Sequence, residues 1–173
     1  MIFLSGIHGV GKSYFCNMVK EQLGIESYSA SKLITDKRNR GFSPNKFVPD
    51  IDENQLILLA ALNDLNSAGK EFILDGHFCL LNEHGEITRI PQDTYTSLKP
   101  TRIILLTEKP EIIAQRRLDR DGTAQDIEPI TAFQNEEHQY AKEISSLLDA
   151  PLIVSKGAAD LNRILEFIRE GGI

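Results

Sequence analysis

The stretch GIHGVGKS, residues 6–13, sets Gly6, Gly9, Gly11, Lys12 and Ser13 in the spacing of a phosphate-binding loop. Glycines let the backbone curl so that successive N–H groups point inward at an anion. The helix that follows adds its positive end. A lysine at position 12 reaches the outer phosphates as a point charge, and the Ser13 hydroxyl can ligate Mg2+. The motif implies binding of a nucleoside triphosphate and leaves the reaction open. The nucleotide site is expected over Gly6, His8, Gly9, Val10, Gly11, Lys12, Ser13 and Tyr14. His8 either faces the nucleotide or lies on the loop surface.

A second carboxylate stands in FILDGH, where Asp75 ends a strand-like run. In a parallel sheet that end lies beside the phosphate loop, and a carboxylate there can hold Mg2+ directly or through water. No glutamate follows Asp75; Gly76 and His77 do. Gly76 suits a close backbone approach. His77 has three readings: contact with an acceptor, orientation of a ligand of Asp75, or a structural role. Further on, QRRLDRD holds Arg116, Arg117 and Arg120. Arg116 and Arg120 share a helix face by i,i+4 spacing. Fixed guanidinium groups suit the charge that develops on a transferring phosphoryl group. The plainer alternative is a solvated charge run paired with Asp119 and Asp121.

These residues need a frame. IFLS (2–5), FILD (72–75), RIILLT (102–107) and PLIVS (151–155) read as buried strands, with a short strand at 25–28. Helices are expected at 13–23, from Asp52 with Gln55 as a capping-box partner to a stop at Gly69, from Pro110, over 130–148 and over 159–170. Residues 79–90 suit a small hairpin around His84 and Gly85. Residues 35–52 carry charges, a glycine and prolines with little periodicity, and read as loop or short irregular helix. The alternation predicts an α/β fold: three layers, a parallel sheet of about five strands and helices on both faces.

Length and composition agree. The chain has 173 residues, enough for one domain, and 41% hydrophobic residues build a core without staples. Lys and Arg total 19 against 25 Asp and Glu, for a net charge of -6, which disfavours a large nucleic-acid surface. Cys16 and Cys79 match no metal-ligand spacing and read as buried thiols. No apolar run approaches the roughly 20 residues that span a bilayer. The first strand starts at the N-terminus and leaves no room for a leader, so a cytoplasmic protein without membrane partners is expected.

The loop, the LDGH run and the paired arginines together resemble the P-loop nucleoside monophosphate kinases, closest to short-lid archaeal-type adenylate kinases and related small P-loop kinases. The match also takes in Gly85, Pro100, the Pro110–Glu111–Ile112 run, Arg116–Arg117–Leu118, and Asp126, Glu128 and Gln134 in order. It covers nearly the whole chain and is poor between residues 29 and 54. The family carries a further arginine before the acid that Asp126 matches; this chain has Gln125.

The resemblance implies one kinase domain over residues 1–173, an acceptor-binding insertion at 29–68 and a short lid at 117–128, without the cysteine or histidine cluster that a zinc-bearing lid would need. It implies ATP and Mg2+ held by the loop and Asp75. Catalysis would fall to Lys12, Asp75, Arg116, Arg117 and Arg120. The acceptor would be a nucleoside monophosphate, AMP among them, gripped by Ser31, Arg38, Arg40 and His77. A monomer is the family default, with a weak homodimer as the alternative. Two other readings stay open. One is a kinase for another small hydroxyl-bearing acceptor, with Asp36 or Asp75 as base. The other is an ATPase driven by a partner.

Overall fold

In the computed structural model, residues 1–39, 53–66, 69, 71–82 and 84–170 are described. Five parallel strands form the central sheet: β1 (Ile2–Ser5), β2 (Glu26–Ser29), β3 (Phe72–Asp75), β6 (Arg102–Leu106) and β7 (Leu152–Ser155). Their spatial order is β2-β3-β1-β6-β7. β1 therefore sits at the centre, where the chain winding changes direction, and such a switch point opens a crevice at the carboxyl ends of the strands. Strands buried on both faces need continuous apolar runs, and Ile2, Phe3, Leu4, Ile73, Leu74 and 103–106 supply them. The expected α/β architecture, with helices on both faces, is the one observed.

The connecting helices are α1 (Lys12–Leu23), α2 (Ala30–Asn39), α3 (Glu53–Asn66), α4 (Gln92–Leu98), α5 (Pro110–Asp121), α6 (Ile127–Leu148) and α7 (Leu161–Arg169). Glycines with positive φ end α1 at Gly24 and α5 at Gly122. Pro110 opens α5, its missing N–H costing nothing in the first turn. The hairpin β4 (Cys79–Leu81) and β5 (Ile87–Arg89) forms as expected. Asn82 builds its turn, accepting from the N–H groups of His84 and Glu86 at 2.9 Å each. Arg89 ties the hairpin to α6 through Glu136 and Glu143, each at 2.6 Å.

The sequence expectation needs correction in three places. Residues 35–39, read as loop or irregular helix, continue α2 as regular helix. No residue of α2 is fully buried, so its apolar signal is weak; Ile34 and Leu33 pack on the core while Asp36, Arg38 and Asn39 face solvent. Residues 92–98 form α4, which the strand-and-helix pattern did not mark. It is seven residues long and buries Thr94, Tyr95 and Leu98. The α6 helix also starts three residues before the expected 130. Arg40, the remainder of 40–52, and 67–68 of the expected insertion lie outside the described residues.

Candidate active site

Ser5 ends β1 and the chain turns at once into the loop. Gly6, Gly9 and Gly11 take φ values of 144°, 87° and 106°, which side chains other than glycine resist. A Cβ on Gly6 would lie 2.7 Å from Leu106 O, so the loop packs against β6 with no room to spare. Gly11 precedes α1, leaving the loop N–H groups at the positive end of that helix. Lys12 is buried, Ser13 and Tyr14 are exposed, and Val10 is buried beneath the loop.

Lys12 Nζ sits within a small polar cluster. It donates to Gly6 O at 2.5 Å, lies 3.6 Å from Asp75 Oδ1 and stands 3.4 Å from His77 Nε2. Burial lowers the Lys12 pKa and raises that of Asp75, and their mutual attraction opposes both shifts. His77 packs against His8, ring centroids 4.5 Å apart and planes tilted by 48°. Burial first, then Lys12 and then His8, push the His77 pKa down to about 2, so this imidazole stays neutral through the working range. Its Nδ1 is buried without a partner among the described residues. Gly76 is needed beside it: a Cβ there would meet the Phe3 ring at 2.8 Å.

Two arginines of α5 hold the loop from above. Arg116 donates to Val10 O at 2.9 Å and to Gly9 O at 3.4 Å, and pairs with Glu108 at 3.3 Å. Arg117 donates through Nε to His8 O at 2.9 Å and through its guanidinium to Gln125 at 2.7 Å. Gln125 thus engages Arg117 directly across the 122–126 connection. Arg120 is bound to its neighbour Asp121 at 2.6 Å. Arg116 and Arg120 line the cavity over the loop, in line with their shared helix face; Arg117 packs beside Gly9 and is not among the lining residues.

That cavity has a volume of about 690 Å³. Its floor is the loop with Asp75, Gly76 and His77. The rest of its wall, the second arm, comes from α2, α3 and α4: Ser31, Ile34, Arg38, Gln55, Leu58, Thr94, Tyr95 and Leu98. The sequence-expected residues Ser31, Arg38 and His77 therefore share one cavity with Lys12 and Ser13. Asp36, an expected base for a hydroxyl acceptor, is not among the lining residues.

Sequence reasoning missed one organising residue, Glu137 of α6. It is 1% exposed and accepts hydrogen bonds from the Ser5 hydroxyl, from Phe78 N at 2.9 Å and from Cys79 N at 2.6 Å. It joins α6 to β1 and to the segment that follows Asp75. Burial raises its pKa, while the three donors favour the carboxylate. The signal was present: Glu137 falls on the buried stripe Ile130, Phe133, Tyr140, Ile144. Tyr95 was missed with α4; its hydroxyl donates to His77 O at 2.7 Å.

A family model for the AAA domain matches residues 5–134, from the end of β1 through the loop, Asp75 and the arginines. The chain belongs to this family. The AAA-domain assignment is broader than the kinase branch that the motifs resemble. An adenylate kinase of Thermoplasma acidophilum is 22% identical over 165 residues, spanning 90% of this chain and 84% of that protein. Among solved structures, a gluconokinase from Sinorhizobium meliloti 1021 aligns with a TM-score of 0.51 at 15% identity, covering 98% of this chain and 95% of that one. An uncharacterized protein from Eubacterium ventriosum aligns at 0.50 and 14%, with the same coverage. These two likenesses speak to the fold alone. This AAA-domain chain thus has a P-loop, kinase-like architecture related to adenylate-kinase-type proteins. Among the described residues, no helix is long and apolar enough to cross a membrane.

Proposed function

We propose that the protein transfers the γ-phosphoryl group of ATP to a nucleoside monophosphate, giving ADP and a nucleoside diphosphate. The observation that carries this reading is that one cavity is lined both by the phosphate loop and by α2, α3 and α4. One arm ends on the phosphate loop and Lys12; the other is walled by α2, α3 and α4, and the whole cavity, about 690 Å³, has room for two small molecules. A polyhydroxylated acceptor would need many polar partners. The second arm carries Ile34, Leu58, Tyr95 and Leu98, apolar surface that suits a flat ring, beside Ser31, Arg38, Gln55 and Thr94.

The donor set fits Mg2+ and ATP: a loop curled through the positive φ of Gly6, Gly9 and Gly11, an exposed hydroxyl at Ser13 and a carboxylate at Asp75. Ser13 and Asp75 are the residues that would hold the metal, and its charge neutralises the β and γ phosphates when it is bound. The loop N–H groups and α1 bind the phosphates. Lys12 exchanges its contact with Gly6 O for phosphate oxygens, and Asp75 keeps its ammonium oriented. Arg116 and Arg120 face the cavity and supply cations for the transferring group. A phosphate acceptor is already anionic, so no strong base is required, in keeping with a neutral His77. Rate then comes from position and electrostatics.

The test is binding of a bisubstrate analogue, two nucleosides joined by five phosphates. It is expected to bind at least about tenfold tighter than ATP, because the second arm is engaged at high effective concentration. Equal affinity for ATP and for every analogue in a base-varied set contradicts the reading. In that case a hydroxyl acceptor or a partner-driven ATPase takes its place.

A further inference from the structure

His8 stands inside the phosphate loop, between Gly6 and Gly9, and the mechanism above gives its side chain no task. Ile7 before it is buried, and Val10 N donates to Ile7 O at 3.2 Å across a turn. That turn leaves His8 exposed in the wall of the cavity, beside Lys12 and Ser13. The residue is well placed: Arg117 holds its carbonyl, and its ring packs against His77. Neither ring nitrogen makes a hydrogen bond among the described residues.

The charges around this imidazole are one-sided. Lys12 of α1 and Arg117 and Arg120 of α5 act on it as cations, Asp121 of α5 opposes them, and His77 beside it is neutral. Among the described residues the cavity wall carries Lys12, Arg38, Arg116 and Arg120 against a single carboxylate, Asp75. Burial first, then these cations, hold the His8 pKa below its ordinary 6.5. A triphosphate on the loop brings several negative charges to the same place and reverses the balance. Histidine is the side chain whose charge such a reversal changes near neutral pH.

We propose that His8 is a proton-coupled phosphate ligand, which takes a proton from solvent when ATP binds and donates from its ring in a charge-assisted hydrogen bond to a phosphate oxygen. This deepens the phosphotransfer reading and rests on its nucleotide half, ATP on the loop. An N–H bond on the imidazole is the one covalent bond formed, and the proton returns to solvent when the nucleotide leaves. A charged donor is worth more to a phosphate than a neutral one. His77 does not compete for the role: its Nε2 faces Lys12, and its Nδ1 is buried.

The experiment is calorimetric binding of ATP with Mg2+ to wild type, His8→Asn and His8→Lys, in two buffers of unlike ionisation enthalpy. The difference between buffers reads the protons taken up. ATP titrates alike in all three measurements and cancels. At pH 7 wild type is expected to take up at least about 0.3 proton per ATP more than either variant, since asparagine does not titrate and lysine is charged beforehand. His8→Asn is expected to bind ATP at least about threefold more weakly at pH 6, with the deficit shrinking by pH 8. Melting temperature reports whether each variant folds; if His8→Asn does not, the uptake by His8→Lys decides. Equal uptake by wild type and the folded variants, or a deficit in His8→Asn that is the same at pH 6 and pH 8, overturns the inference and leaves the phosphotransfer reading standing. Absence of ATP binding to wild type overturns both.

Discussion

Glu137→Gln is the substitution whose effect the structure specifies most closely. One carboxylate oxygen accepts from the Ser5 hydroxyl and from Phe78 N; the other accepts from Cys79 N. A glutamine offers one acceptor oxygen, so its NH2 group must face a backbone N–H whichever way it is turned. One buried donor is then orphaned, at a cost of about 1–3 kcal/mol. The remaining bonds lose charge assistance, about 1 kcal/mol each. Relief of the buried charge, which already raises the Glu137 pKa, offsets part of this. The balance is about 3 kcal/mol, or a melting temperature lowered by about 6–12 °C for a chain of this size. Ser5→Ala removes one bond of the three and is expected to cost about a third as much. Thermal melting followed by circular dichroism reads both. If Glu137→Gln melts within about 2 °C of wild type, or no lower than Ser5→Ala, the assignment of Glu137 as the anchor of this segment is wrong.

Three further outcomes follow from the same geometry. His77 has a folded pKa of about 2 against an ordinary 6.5, so the unfolded chain takes up a proton that the folded chain refuses. Stability is fully present above pH 6.5 and falls below it by about 1.4 kcal/mol per pH unit, about 2 kcal/mol by pH 5. His77→Gln is expected to lose less than wild type between urea melts at pH 7 and pH 5; equal losses refute the reasoning. Gly76→Ala drives a methyl group into Phe3, which is held edge-on to Phe78 and Tyr95, and is expected to cost about 1–3 kcal/mol in a urea melt. A variant of unchanged midpoint would show that Phe3 moves freely. Arg117→Ala removes the bonds to His8 O and Gln125 and is expected to weaken ATP binding about three- to tenfold, by loosening a preformed loop. Unchanged affinity in calorimetry would show that the loop needs no support from α5.

The parts of the site that announce themselves in the sequence are local. The glycines, Lys12 and Ser13 lie within eight residues, and Asp75 ends an apolar run, so β1, β3 and the loop are legible without knowing any distant contact. The parts that were hidden depend on partners far along the chain. The α4 helix is short, and only Tyr95 and Leu98 give it an apolar face. Its identity is set by packing against Phe3, Phe78 and Tyr140. The α2 helix buries no residue fully, so periodicity alone leaves residues 35–39 looking like loop. Gln55 reads in sequence as a helix-capping residue, whereas the fold turns it toward the cavity. Glu137 lies 132 positions from Ser5, and only the closing of α6 over β1 brings them together.

The central claim is that Lys12 and Asp75 serve transfer to an acceptor rather than to water. The most direct measurement follows the labelled γ-phosphoryl group of ATP, with Mg2+, in the presence of AMP, GMP, CMP, UMP and their deoxy forms, alongside Lys12→Ala. The account predicts label in one nucleoside diphosphate, little free phosphate when acceptor is absent, and a loss of about a hundredfold or more in Lys12→Ala. Label released only as inorganic phosphate, at a rate indifferent to every acceptor, would contradict it.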